Sequence, residues 1–322
     1  MDQQIQQRAA FSMIELIFVI MVLGIVASIG SQIIAKVYDS YLTQRALYRS
    51  SVKTELAATQ LANRLAYSIP GTVIGRNDSL APDFYALEDI PVGETDYTTL
   101  EWIGYDADGF GTSATNTASM VPVWSGYADV NAPTTNLDAL TTPGSRLSQV
   151  NTIIGNLRRN GSTTAIGDTA ILFPGTYSAY TIGYSGGAGA ADIHPVSGNN
   201  GDTIINLEHK GSRDIKEHYK LAWTAYAIVP VEVTNTQDKI DRGFQAGDKL
   251  WDLVLHYDYQ PWANPPETLG NVQVGQRYVL LRNVSAFKFT GSGNTIRFKI
   301  CQRESIGGTY SINTCKEKAV IR

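Results

Sequence analysis

The sequence predicts an α+β protein: a long N-terminal helix, membrane-spanning in its first half, packed on an antiparallel β-sheet head that carries a large loop-rich insertion. Three observations predict it. An apolar run over residues 11–30 is broken by one acid, Glu15. No proline interrupts 31–68, where apolar residues continue at helical spacing. Beyond residue 219 the apolar period becomes two, as in strands.

The helix comes first. Residues 11–35 are apolar on every side and long enough to cross a membrane once, which takes about 20 residues. Over 36–70 the pattern is amphipathic. Tyr38, Tyr41, Leu42, Tyr48, Val52, Leu56 and Leu65 continue a stripe begun at Ile34, with Lys36, Asp39, Arg45, Arg49, Lys53 and Asn63 falling between. That stripe is expected to pack on the head. Pro70-Gly71 is the expected stop. A helix over 11–69 would run on the order of 85 Å. Gly24 and Gly30 weaken it by roughly 1 kcal/mol each against Ala, or permit close helix contact in lipid.

Residues 71–218 are expected to hold the loop-rich insertion. Gly, Ser, Thr, Asn and Ala dominate much of it, with short strand-like pieces at 97–103 and 170–173 and a short helix over 145–159, stopped by Gly161. The stretch 185–191 reads as a flexible loop. Residues 219–322 are expected to form the sheet. Trp251, Leu253, Leu255, Tyr257 and Tyr259 alternate with Asp252, Val254, His256 and Asp258. Further strands are expected at 220–233, 278–289, 295–301 and 319–322, with a turn at 291–294.

Glu15 is the most informative residue. A carboxylate at membrane depth costs roughly 2.5–3.5 kcal/mol on insertion scales, so it needs a partner. Nothing near in sequence supplies one, unless cleavage before Phe11 creates an amino group. This pattern resembles the N-terminus of type IV prepilins and type II secretion pseudopilins. In that family a hydrophilic leader ends in a small residue, a membrane peptidase cuts before Phe, and the mature chain has Glu fifth. The resemblance implies a leader over 1–10, cleavage between Ala10 and Phe11, N-methylation of Phe11, and Glu15 neutralising a neighbour's N-terminus during assembly. Ala10 stands where Gly is usual. The closing segment 280–300 is similar to the last strands of J-class pseudopilins and their minor-pilin counterparts.

The implied partners are prepilin peptidase, other pilins or pseudopilins through the helix, an inner-membrane assembly platform, and membrane lipid before assembly. The implied location is the inner membrane, with one span and a periplasmic head, and then the pilus or pseudopilus. Cys301 and Cys315 are the two cysteines. In an exported chain they read as one disulfide, with two buried thiols as the alternative; many pilins carry such a C-terminal disulfide loop.

A formal net charge of −4 and the absence of a Lys/Arg run argue against a nucleic-acid partner. Lys316, Lys318 and Arg322 make a thin basic tail. His194, His209, His218 and His256 are scattered, and no catalytic or phosphate-binding motif is present; no enzyme activity and no cofactor are expected. Asp106 and Asp108 flank a turn glycine as weak calcium candidates, with a solvated turn as the simpler reading. The abundant Tyr and Trp read as strand core, with the loop 259–266 as the best candidate for exposed aromatics. The expected function is that of a minor pilin or pseudopilin near a filament tip, priming assembly. The alternatives are an adhesive or ligand-binding tip pilin and, behind it, a signal-anchored periplasmic enzyme.

Overall fold

One unbroken helix, α1 (Met13–Leu65), forms the N-terminal stalk. The computed structural model describes residues 12–77, 83–91, 94, 96–110, 121–158, 165–185, 191–208, 214–269, 275–306 and 310–321. The leader, Ala10, Phe11, Gly161, His209, Arg322 and most of the 185–191 loop lie outside them. α1 ends before Pro70-Gly71 because the following backbone joins a strand. Ile69 N–H donates to Ile103 C=O at 2.9 Å, and Tyr105 N–H donates to Tyr67 C=O at 3.1 Å.

Strands and short helices follow in the order β1 (Ile74–Arg76), β2 (Phe84–Ala86), β3 (Thr99–Tyr105), α2 (Ala107–Phe110), β4 (Ala139–Thr141) and α3 (Leu147–Leu157). Next come β5 (Ala170–Leu172), β6 (His194–Asn200), β7 (Ile204–Leu207), β8 (Lys220–Glu232) and α4 (Thr236–Asp241). β9 (Trp251–Tyr259), β10 (Gln276–Ser292), β11 (Thr295–Ile306) and β12 (Tyr310–Ile321) close the chain. The main sheet runs β12-β11-β10-β9-β8-β5-β6-β7-β4, and every pairing is antiparallel.

β8 is the branch point. One edge takes β9. The other takes β3 along Ala222–Ile228 and β5 along Lys220–Ala222. The sheet therefore crosses residue 219 without a break, and β1 to β7 all come from the 71–218 region. That region also has its own core, where α3 places Leu147, Val150 and Ile154 against Trp124, Phe173, Ile205 and Leu221. Its Gly- and Ser-rich composition hid this because β1, β2, β4 and β5 are only three residues long, too short to show a period.

The helix meets the sheet with a face that shares only Leu65 with the expected stripe. Its buried residues are Ala46, Ser50, Thr54, Ala57, Ala58, Leu61 and Leu65. The last four pack with Trp102, Phe287, Phe298 and Ile300 on the sheet. Tyr38, Tyr41, Tyr48, Val52 and Leu56 are exposed, Tyr48 by 72%. At 3.6 residues per turn the two rows lie on roughly opposite sides of α1. Ala57 and Ala58 let the helix axis settle closely on large sheet residues, and Leu61 and Leu65 fill the space beside them. Partly exposed ion pairs border this contact: Lys318–Glu55 at 2.6 Å, Lys316–Glu55 at 3.6 Å and Lys53–Glu304 at 3.3 Å. The expected basic tail is thus partly neutralised by the helix.

Ala58→Phe is expected to lower stability by about 1–3 kcal/mol through overpacking. Tyr48→Ala is expected to stay within about 0.5 kcal/mol of wild type. Urea unfolding of the detergent-solubilised protein checks both, and the reverse ranking would mean that the large-residue row faces the head.

Candidate functional site

The start of α1 gives Glu15 a local role that sequence reasoning missed. Ser12 is the N-cap, and its Oγ accepts from Ile14 N–H at 3.2 Å. Its carbonyl accepts from Glu15 N–H at 3.0 Å and Leu16 N–H at 3.1 Å. Glu15 is then the third helical residue, and Ser12-Met-Ile-Glu15 has the spacing of a capping box. A carboxylate there also faces the positive end of the helix dipole, typically worth about 0.3–1 kcal/mol. The signal was legible as Ser-x-x-Glu before an apolar run. The side chain is exposed, as are nearly all residues from Met13 to Arg45. Among the described residues, α1 is the one helix long and apolar enough to cross a membrane.

Cys301 and Cys315 face each other across β11 and β12 and form a disulfide. The bridge closes a separation of 14 residues, so it pins the final hairpin on which α1 rests. The alternative of two thiols is set aside.

Asp106 and Asp108 do not form the expected solvated turn. Asp106 is 1% exposed. Its Oδ1 accepts from Gly109 N–H at 3.0 Å and its Oδ2 from Trp124 Nε1–H at 3.2 Å. Asp108 is exposed. Both oxygens of Asp106 thus already accept from N–H donors of the chain itself. Among the described residues no group of three or more acid, His or Cys side chains could hold a metal.

Burial is the main force pushing the Asp106 carboxyl up from 3.8 to about 6; Asp108 adds to it, while the Gly109 and Trp124 donors oppose it. A raised folded value means that ionisation opposes folding. Stability is therefore expected to fall by about 3 kcal/mol as pH rises from about 4 to about 6, and to stay lower above that. Asp106→Asn should flatten this fall, as read from melting temperatures on either side of the window.

In the 259–266 loop the core reading of the aromatics holds over the exposed one. Tyr259 and Trp262 are buried, and Trp262 Nε1–H donates to Asp168 C=O at 3.3 Å. His256 on β9 is buried too, its pKa lowered to about 4 by burial and by Arg277, which keeps it neutral. A buried network around Arg76 and Glu101 also escaped the sequence, since its members are far apart in the chain. Arg76 Nε donates to Glu101 Oε2 at 2.7 Å, and Tyr259 OH donates to Glu101 Oε1 at 2.9 Å.

Fold and site together define an α+β protein with one apolar N-terminal helix and a disulfide-closed sheet head. No protein-family model, curated protein or solved structure matches the chain.

Proposed function

We propose that this chain is a minor pilin or pseudopilin, anchored in the inner membrane through α1 with its head in the periplasm, and assembled near a filament tip where it primes growth. One observation carries the reading: an exposed apolar helix with Glu15 at its start runs unbroken into a stalk bearing a folded head. In lipid the bare segment spans the bilayer. On assembly, helices of neighbouring subunits replace the lipid, and Glu15 meets the amino group of a processed neighbour. The exposed row from Ile34 to Leu56 extends that packing beyond the span. The wide head, with β4–β7 and α3 added beside β8, suits a tip better than a repeating shaft, where such bulk would collide with the next subunit.

Mass spectrometry of the membrane-extracted protein tests this. The expected N-terminus is methylated Phe11. An N-terminus at Met1, in cells with active prepilin peptidase, overturns the reading.

A further inference from the structure

A cavity of about 530 Å³ opens where the end of α1 meets β3, α2 and β8. Its size lies within the usual range for small-ligand sites. Five rings line it: Tyr67, Tyr105, Phe110, Trp223 and Tyr226. Gln60, Asn63, Arg64 and Asp108 add amide, guanidinium and carboxylate groups, and all four side chains come from exposed residues.

The walls are held in place. Tyr105 N–H bonds Tyr67 C=O, and the two rings meet edge to face with centroids 5.6 Å apart. Tyr226 stacks on buried Trp102 at 5.7 Å. It also lies against Gly104, where an added Cβ would sit 2.7 Å from the ring; the glycine makes room for it.

Charge narrows the ligand class. The protein's own cations already sit over these rings: Arg64 Cζ is 5.8 Å from the Tyr226 centroid, and Lys220 Nζ is 4.5 Å from that of Tyr105 and 5.5 Å from that of Phe110. A second cation would meet them. An anion would meet Asp106 and Asp108 beside those cations, so the mixed charges select an ion of neither sign. A purely apolar ligand would leave the amides and charges of the rim without partners. What fits is a neutral ring compound with an apolar face to lie on the aromatic rings and a rim of hydroxyls that both donate and accept. Asn63 and Gln60 offer both functions, Arg64 only donates, and ionised Asp108 only accepts.

We infer that this cavity binds a neutral saccharide, stacked on Tyr67 or its neighbouring rings and hydrogen-bonded through Asn63, Gln60, Arg64 and Asp108. The inference goes beyond the filament reading and stands independently of it. Its position is also suitable: roughly 30 helical residues, or roughly 45 Å, separate Ile34 from the end of α1, which keeps the site well clear of a bilayer.

The test uses the full chain in a detergent without a sugar headgroup. Cellotetraose, maltotetraose and N-acetylchitotetraose are each added at millimolar concentration, and saturation-transfer NMR is recorded. At least one is expected to bind, with transfer strongest at its ring C–H protons. Tyr67→Ala and Asn63→Ala should each weaken that binding at least about tenfold, while Tyr48→Ala, on the same helix but away from the cavity, should not. Circular dichroism and melting temperature show that each variant is folded. Failure of all three sugars to bind overturns the inference. So does binding that survives both substitutions, or displacement of the sugar by tetramethylammonium or inorganic phosphate.

Discussion

Glu15→Val is expected to reduce incorporation into filaments by roughly two to three orders of magnitude, while membrane insertion and the melting temperature of the head stay unchanged. The proposed pair joins the Glu15 carboxylate to a neighbour's amino group inside an apolar bundle. Removing one partner of a buried ion pair leaves the other charge uncompensated, at a cost of about 3–5 kcal/mol. Insertion is not impaired, because valine is cheaper than glutamate in hydrocarbon. The head is unaffected because the first buried residue of α1 is Ala46, some 30 residues further along the helix. Glu15→Gln separates pairing from helix capping: glutamine keeps the Ser-x-x-Glu/Gln capping spacing but not the charge. If charge pairing governs assembly, Gln fails nearly as badly as Val. The measurement is the ratio of subunit in sheared filaments to subunit in membranes. Gln at wild-type level would leave Glu15 as a helix cap and remove it from the assembly argument.

The long elements were legible because they repeat a period many times. α1, β8 and β9 show this most clearly: β9 matches its predicted span of 251–259 and β8 ends one residue short of its own. β12 was longer than its expected end at 319–322, since the alternation through Ser311, Asn313 and Cys315 mixes polar residues on both faces of an edge strand. The choice of helix face was not legible. Ala, Ser and Thr score weakly on any hydropathy pattern, yet they form the contact because the sheet opposite supplies Phe287 and Phe298. The cavity at the end of α1 was not legible either. Its walls come from residues 60–67, 104–110 and 223–226, brought together by the pairing of β3 with β8 and by the backbone bonds from β3 to the end of α1. The disulfide could be found because its signal is local: two thiols near each other in the chain.

Glu101→Ala is expected to destabilise the head by about 3–5 kcal/mol, the range for orphaning a buried ion-pair partner. Glu101 on β3 is 0% exposed. The guanidinium of Arg76, on the neighbouring β1, spends its other donors on Asp83 Oδ2 at 2.9 Å and Tyr184 C=O at 3.0 Å. Tyr184 OH in turn donates to Thr72 C=O at 2.8 Å. Burial first, and the Glu101 charge next, hold the Tyr259 hydroxyl well above its ordinary pKa of 10.0, so it stays protonated and donates to Glu101. The network thus ties β1, β3, the end of β9 and the 184 loop into one rigid block where the added strands meet the main sheet. Removing Glu101 takes a fully buried acid partner from buried Arg76 and leaves the Tyr259 hydroxyl without its acceptor. Replacing both ions, Arg76→Met with Glu101→Leu, should recover much of the loss, because the desolvation cost of the two charges disappears with them. Urea midpoints followed by tryptophan fluorescence measure both variants. If the double variant is no more stable than Glu101→Ala alone, the pair is more than a compensated burial: its hydrogen bonds to Tyr184 and Tyr259 then hold the junction in place, and apolar packing cannot substitute for them.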